Sequence, residues 1–480
     1  MRRLRGRTMP EPEIDLLAIA RGTVAAPAGC GKTHLIAETL KRHTGTKPIL
    51  ILTHTNAGVV ALRARLDKAG VAAKAYRLST IDGWAIRMVG LFPARTGLDP
   101  ATLKLNDARP DYPIIREAAW RLLKGGHVLD LLKATYARII VDEYQDCSIG
   151  QHAIVYYAAP ALPVCVLGDP MQAIFGWPGN ELADWNAHVC THFPIVGELA
   201  TPWRWRLAGT EDLGAWLLDT RRRLHAGQTV DLTAAPREVS WVNLDGTEDR
   251  VRQLRAAGTA PVTAGGSVLI IGDGAKPESQ RLFASQIPGA VTVEAVDLRD
   301  LVSFARDLDL AAVDALGRIA RFASTLMTNV GPDDLLRRVD SLERGTARRE
   351  ASETETVALR FNRLRTPAAA ADLLVAISRD AGVRTYRQAV LRTCLKALQS
   401  CEGAGGNSFH EAALAAREQN RLVGRPLPRR AVGSTLLLKG LEADVSVVLD
   451  ASVLDAKNLY VAMTRGARRL VVCSSASTLP

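Results

Sequence analysis

Short apolar runs punctuate the first two hundred residues, and each stops abruptly on a polar or flexible residue. "GTVAAP", "PILILTHT", "ARIIVDE" and "PVCVLGD" are the clearest of them. Each leads towards a helical pattern such as "KTHLIAETLKRH" or "NAGVVALRARLDKAG". Continuous apolar strands separated by helices imply crossover connections and a parallel sheet covered on both faces, so the fold class expected is α/β. From Trp203 to about Ala260 the pattern is mixed and rich in Arg, and "GSVLIIGDG" then reads as a strand opening a second α/β unit. From about Leu301 to Arg430 the chain is mostly helical, with a loop at "CEGAGGNS"; the final fifty residues return to strand-like runs, "EADVSVVLDA" and "RRLVVCSS". A helical block between two α/β pieces predicts a discontinuous domain carrying an insertion.

At 480 residues the chain is too long for one simple core. Its 47% apolar and 23% charged residues are those of an ordinary globular protein. An excess of 61 basic over 50 acidic residues, net +11, favours a polyanionic partner, the plain alternative being a charge that only keeps the protein in solution. Seven scattered cysteines form neither a disulfide framework nor a paired zinc spacing. The basic start "MRRLRGRTMPEPEID" lacks an apolar stretch behind it, and no run reaches the ~18–20 apolar residues of a membrane span. The expectation is a cytoplasmic protein with no membrane partner.

Chemistry concentrates at strand ends, where open α/β sheets gather their ligands. The run Ile139-Ile140-Val141 halts at Asp142-Glu143, and Gln145-Asp146 follow after one aromatic. Neighbouring carboxylates repel and cost desolvation unless a cation or a hydrogen-bond network takes them up; a surface turn is the plain alternative. Upstream, "APAGCGKTHL" follows a strand and opens a helix. It resembles a phosphate-binding P-loop, with Ala26 in place of the usual first glycine. Ala28, Gly29, Cys30, Gly31, Lys32 and Thr33 would curl their backbone N–H groups around phosphate oxygens at a helix N-terminus. Lys32 would reach the β- and γ-phosphates, Thr33 and Asp142 would hold Mg²⁺, and Glu143 would orient or deprotonate the attacking water. The cofactors expected are ATP and Mg²⁺.

"VDEYQDCS" resembles motif II of UvrD/Rep-like superfamily 1 DNA helicases, and further segments are similar to that family in order. "LTHTNAGVVALRARL" looks like motif Ia, "STIDGWAIRMV" like the next DNA-contacting segment and "VLGDPMQAIFGW" like motif III. "TPWRW" looks like motif IV, "STLLLKGLEADVSVVL" like motif V and "NLYVAMTRGARRLVV" like motif VI. The resemblance implies two RecA-like P-loop motor domains. The first would span 1–198, with a small insert around 90–135; the second would comprise 199–300 and 431–480, interrupted by the helical insertion 301–430. Gln172 would sense the γ-phosphate, and Arg204 and Arg465 would approach it from the second domain, so that ATP closes the cleft. Trp203 and His34 would sandwich the adenine, and Glu442 would contact the nucleotide. His54, Thr55, Asn56, Thr80, Phe175, Trp177 and Ser434 would meet single-stranded DNA, the aromatics by stacking on bases.

This chain departs from the family in places. No glutamine that would read the adenine edge precedes "RGTVAAP". Asp82 stands where relatives carry His, Pro178 where Arg often follows, and Leu436 where His is common. An acid at position 82 would repel phosphate unless paired. The activity implied is an ATP-dependent helicase or translocase moving 3′→5′ on single-stranded or tailed duplex DNA. The other reading is a DNA-stimulated ATPase that senses DNA for a partner such as a nuclease. A small-molecule kinase would leave motifs III to VI unexplained.

Overall fold

The structure is a computed structural model describing residues 9, 12–104, 111–176, 179–401, 408–422 and 428–480, the side chains of 104 and 420–422 excepted. In chain order, the first stretch runs β1 (Arg21–Ala25), α1 (Lys32–Arg42), β2 (Ile49–Thr53), α2 (Asn56–Lys68), β3 (Tyr76–Thr80), α3 (Ile81–Leu91), α4 (Pro93–Thr96), α5 (Tyr112–Lys124), α6 (Leu129–Thr135), β4 (Ile139–Val141), α7 (Ile149–Ala158), β5 (Val164–Gly168), β6 (Ile195–Glu198), α8 (Trp203–Ala208), α9 (Glu211–His225), β7 (Val230–Asp231) and β8 (Val239–Asn243). Six of these strands form one sheet in the order β3-β2-β4-β5-β1-β6, parallel at every pairing. The runs ILILT, IIV and VCVLG are wholly buried, because helices cover both faces. Trp84, Leu122, Ile154 and Phe193 pack on one face; Leu35, Ile36, Leu62 and Leu66 pack on the other. Arg138 clasps the N-terminal segment beneath β4 by donating to the carbonyls of Leu16 and Leu17.

The second stretch opens with α10 (Asp249–Ala257), β9 (Val268–Ile271), α11 (Pro277–Gln286) and β10 (Val291–Thr292). The helical insertion follows: α12 (Arg299–Asp307), α13 (Ala315–Ser324), β11 (Met327–Thr328), α14 (Pro332–Glu343), α15 (Glu353–Leu364), α16 (Pro367–Arg379), β12 (Arg384–Thr385), α17 (Gln388–Gln399) and α18 (Phe409–Leu422). The chain then returns to sheet with β13 (Arg430–Gly433), the short α19 (Thr435–Leu438) and β14 (Ala443–Val448), and ends with α20 (Ala456–Met463), β15 (Gly466–Ser474) and β16 (Thr478–Leu479). A second six-stranded sheet has the order β10-β13-β9-β14-β15-β8, and β10–β13, β13–β9 and β9–β14 are parallel. The insertion owns a separate core of Leu301, Ile319, Phe361, Leu373 and Leu398, with Phe304 stacked on Phe322 at 3.8 Å. The α/β class, the two six-stranded sheets and the helical block between strands of the second are those the sequence pointed to.

Contacts divide the chain into two compact units. One comprises Met1–Trp241, Leu454–Leu470 and Ala476–Pro480; the other comprises Val242–Val453 and Val471–Ser475. The first unit thus includes 199–241 and 454–470, expected with the second motor, while the strands that end these segments, β8 and β15, pair in the second sheet. No helix of the described residues is long and apolar enough to cross a membrane, and all seven cysteines are free thiols.

Candidate active site

Within the first unit, β1 delivers the chain into "APAGCGKT". Ala26 donates its N–H to the Gly168 carbonyl at 2.8 Å, continuing the strand. The positive backbone angles fall at Gly29 (φ +72°) and Gly31 (φ +91°), not at Ala26, so the missing first glycine costs the loop nothing. Gly31 caps α1, whose second and third residues are Thr33 and His34. Gly29 also allows a close approach. A Cβ there would lie 2.5 Å from the Trp205 ring, and the Arg204 N–H donates to the Gly29 carbonyl at 3.0 Å. Trp205, buried, donates its indole N–H to the Gly466 carbonyl at 3.0 Å. The buried Tyr460 hydroxyl accepts from the Ala28 N–H at 3.2 Å. These contacts draw "TPWRW" and α20 onto the phosphate loop.

Lys32 on α1 reaches across to the acids that follow β4. Its ammonium lies 2.9 Å from Asp142 Oδ1 and 2.5 Å from Glu143 Oε1. Burial alone would lower the Lys32 pKa, but the two carboxylates reverse this and hold it above the usual lysine range. At Asp142 burial wins: its pKa is raised, with Lys32 offsetting only part of the cost and Glu143 adding to it. Glu143 sits in the left-handed region at φ 56° and ψ 41°, strain of the kind that persists where function requires it.

The question of why Gln145-Asp146 follow the acids has a geometric answer. Gln145 donates to Glu143 Oε2 at 2.6 Å, and its amide oxygen accepts the Asp169 N–H at 3.1 Å. It thus ties the end of β4 to the segment after β5. Gly168 permits this, since a Cβ there would fall 2.7 Å from the Gln145 oxygen. Gln172, almost fully buried, donates to Asp169 Oδ2 at 3.0 Å. Lys32, Asp142, Glu143 and Gln172 are therefore joined through direct contacts and two intermediaries.

Arg204 donates to the Thr464 carbonyl at 2.5 Å; Arg465, buried, donates to the Val461 carbonyl at 2.7 Å and to the Thr464 hydroxyl at 2.9 Å. Both are counted with the unit that holds the β1–α1 loop, and Arg465 directly precedes β15 of the second sheet. Trp203 flanks the loop, 3.1 Å from where a Gly31 Cβ would stand. Burial pushes the Cys30 thiol up to about 12, with Asp169 adding to the shift, so it stays protonated in the loop. Glu442 and Ser434 belong to the second unit.

Among the DNA-contact candidates, His54 and Phe175 meet edge to face with centroids 5.3 Å apart, forming a half-buried aromatic pair that follows β2 and the turn Pro170–Gln172. Asn56 is exposed at the start of α2. Thr55, Thr80 and Ser434 cap α2, α3 and α19, their hydroxyls accepting from the Gly58, Gly83 and Leu437 N–H groups. Trp177 and Pro178 lie outside the described residues. Leu436 is exposed. Asp82 is paired: Arg116 grips both carboxylate oxygens at 2.7 and 2.8 Å, and Gln151 donates to one of them at 3.0 Å. Its charge is absorbed within the α3–α5–α7 layer.

The donor set suits Mg²⁺. Asp142 offers a carboxylate whose burial its lysine does not fully compensate, and Thr33 offers a hydroxyl oxygen that now accepts from Arg65 at 3.2 Å. Among the described residues no group of three or more His, Cys, Asp and Glu side chains could cage a metal.

Residues 103–187 match the UvrD/REP helicase N-terminal domain family. The matched span contains the motif II acids, Gln145, Asp169 and Gln172. No curated protein matches the chain. Among solved structures, it is similar to the Pif1 helicase of Candida albicans, at 10% identity over 95% of this chain and 91% of that one, with a TM-score of 0.40. It is also similar to the arterivirus nonstructural protein 10 helicase in complex with DNA, at 12% identity and a TM-score of 0.28, over 54% of this chain and 49% of that one. Sequence reasoning did not single out Trp205, Tyr460, Arg116 or Arg221. The first two lie inside quoted motifs; the arginines lie in no motif and carry no local signal.

Proposed function

We propose that the chain is an ATP-driven DNA helicase or translocase that moves 3′→5′ on single-stranded DNA. The observation that carries this reading is the Lys32–Asp142–Glu143 cluster at the carboxyl ends of the first sheet, with Glu143 held in a strained backbone conformation. It gains support from the family match over that segment. ATP is the substrate. The phosphate-loop N–H groups and Lys32 bind its phosphates, and Trp203 and His34 flank the base. A water oxygen attacks the γ-phosphorus, and the bond from that phosphorus to the β,γ-bridging oxygen breaks, leaving ADP and inorganic phosphate. The water's proton passes to Glu143. Gln145 holds Glu143 Oε2, and Oε1, which here meets the Lys32 ammonium, takes the proton once Lys32 turns to the phosphates. Asp142 and Thr33 would hold Mg²⁺, which would neutralise phosphate charge. Gln172, Arg204 and Arg465 respond to the γ-phosphate and pass its loss to the DNA-contacting segments, including His54 and Phe175.

The test is steady-state ATP hydrolysis with and without single-stranded DNA, with Glu143→Gln as the blank, followed by strand displacement on 3′- and 5′-tailed duplexes. Stimulation by DNA and displacement from the 3′ tail are expected. Hydrolysis without DNA response, or displacement only from the 5′ tail, would refute the substrate or the polarity respectively.

A further inference from the structure

Arg221, on α9, lies outside every motif yet ends in the middle of the catalytic network. Its Nε donates to Asp169 Oδ1 at 2.9 Å and its Nη1 to Glu198 Oε1 at 3.1 Å. The Arg221 side chain is 12% exposed and that of Asp169 is fully buried. Asp169 is the point at which two reactive segments converge. Its Oδ2 accepts from Gln172, its Oδ1 also accepts from the Met171 N–H at 3.2 Å, and its own N–H donates to Gln145, which in turn holds Glu143. A fully buried carboxylate keeps a fixed orientation only while its charge is compensated by a well-placed donor. Arg221 is the guanidinium placed to do this, and the fork between Asp169 and Glu198 fixes the guanidinium in turn.

We infer that Arg221 is a positioning residue for hydrolysis: by orienting Asp169 it sets Gln172, Gln145 and, through Gln145, the proton-accepting oxygen of Glu143. The inference rests on the hydrolase reading above. A plain alternative is that the Arg221–Asp169 pair only fastens α9 to the sheet. The two differ in what they do to turnover. A fastening pair can be replaced by any well-packed hydrogen-bonded couple, whereas a positioning arginine cannot, because the couple lacks the charge that holds the carboxylate.

The experiment measures kcat and KM for ATP, with single-stranded DNA present, for the full chain and for Arg221→Ala, Arg221→Lys and the double variant Arg221→Gln/Asp169→Asn, with a thermal melt of each. Arg221→Ala should lower kcat by about tenfold or more while KM changes by less than about threefold, and Lys should recover only part of the loss. The double variant should melt close to the parent and still turn over slowly. If Arg221→Ala fails to fold, the Lys and double variants decide the matter. Turnover within about twofold of the parent in Arg221→Ala, or restored in the double variant, overturns the inference and leaves the hydrolase reading standing. Absence of hydrolysis by the parent chain overturns both.

Discussion

Replacing Arg116 by Ala tests whether the unusual acid at position 82 is a structural residue. The guanidinium and carboxylate meet at 2.7 and 2.8 Å, with side-chain exposures of 14% and 17%. The change removes both charge-assisted bonds, the contact to Asn180 at 3.3 Å and the packing of the Arg116 stem on Gly150, leaving Asp82 with the Gln151 amide. Removing one partner of a buried pair costs about 3–5 kcal/mol. Residual water access places this one at the lower end, about 3 kcal/mol, or roughly 6–12 °C in the melting temperature of a unit this size. Asp82→Asn should cost about 2 kcal/mol, and the double variant about 3, giving a coupling near 2 kcal/mol. The assay is unusually clean. Seven of the eight tryptophans lie at or before Trp216, so in a Trp241→Phe background, which removes the tryptophan on β8 of the second sheet, intrinsic tryptophan emission during urea unfolding reports on the first unit. A cost for Arg116→Ala below about 1 kcal/mol, erased by salt, would show an ordinary surface pair and refute the assignment.

Three further outcomes are expected. His152 donates or accepts at both ring nitrogens, with Tyr144 Oη at 2.9 Å and His192 at 2.8 Å, and burial, then His192, His188 and Arg21, pull its pKa down to about 4. The unfolded chain therefore binds the proton first: the stability from neutral His152 is present above about pH 6.5, falls by about 2 kcal/mol by pH 5 and is lost by about pH 4. Tryptophan-monitored unfolding of the parent and His152→Gln across that range should show the difference, and parallel pH curves would contradict it. Gly29→Ala, which forces a left-handed angle on alanine and drives a Cβ into Trp205, should destabilise the first unit by about 2 kcal/mol and weaken binding of a fluorescent ATP analogue; unchanged stability and affinity would mean the loop does not depend on that approach. In the second unit Arg387, only 3% exposed, grips Glu294 at 2.8 Å and Asp300 at 2.8 Å. Arg387→Ala should cost about 3 kcal/mol in a far-UV circular dichroism melt, and a shift too small to detect would return the cluster to the surface class.

How much of this was legible in the sequence depends on the distance between partners. The "APAGCGKT" turn, the acids after β4 and the alternation of strand and helix are local patterns, and the structure has a strand-loop-helix and a strand end at those places. Thr55, Thr80 and Ser434 were local too, but their position just before a helix is also the signature of a cap, and in the structure each hydroxyl caps. Asp82 looked like a liability because the residue that neutralises it lies 34 positions away in a different helix. Arg221 lies 52 positions from Asp169 and reads as one of several arginines in a basic stretch. In "TPWRW" two tryptophans compete; resemblance picked Trp203 for the base, but nothing in the spacing says that Trp205 wedges against Gly29.

Two buried acids show why a reactive carboxylate can be told from a structural one once partners are known. Glu294 and Asp142 both carry a desolvation cost that raises their pKa. At Glu294 the two bonds from Arg387, at 2.8 and 2.9 Å, more than repay it and the pKa ends below the ordinary value, so the ion is settled and its site is complete. At Asp142 the Lys32 ammonium at 2.9 Å does not repay it, Glu143 deepens the cost, and the pKa ends above the ordinary value. A carboxylate left in that condition beside a strained neighbour gains most from a further cation. Asp142, and not Glu294, is therefore the acid of the two whose charge the protein leaves open to another partner.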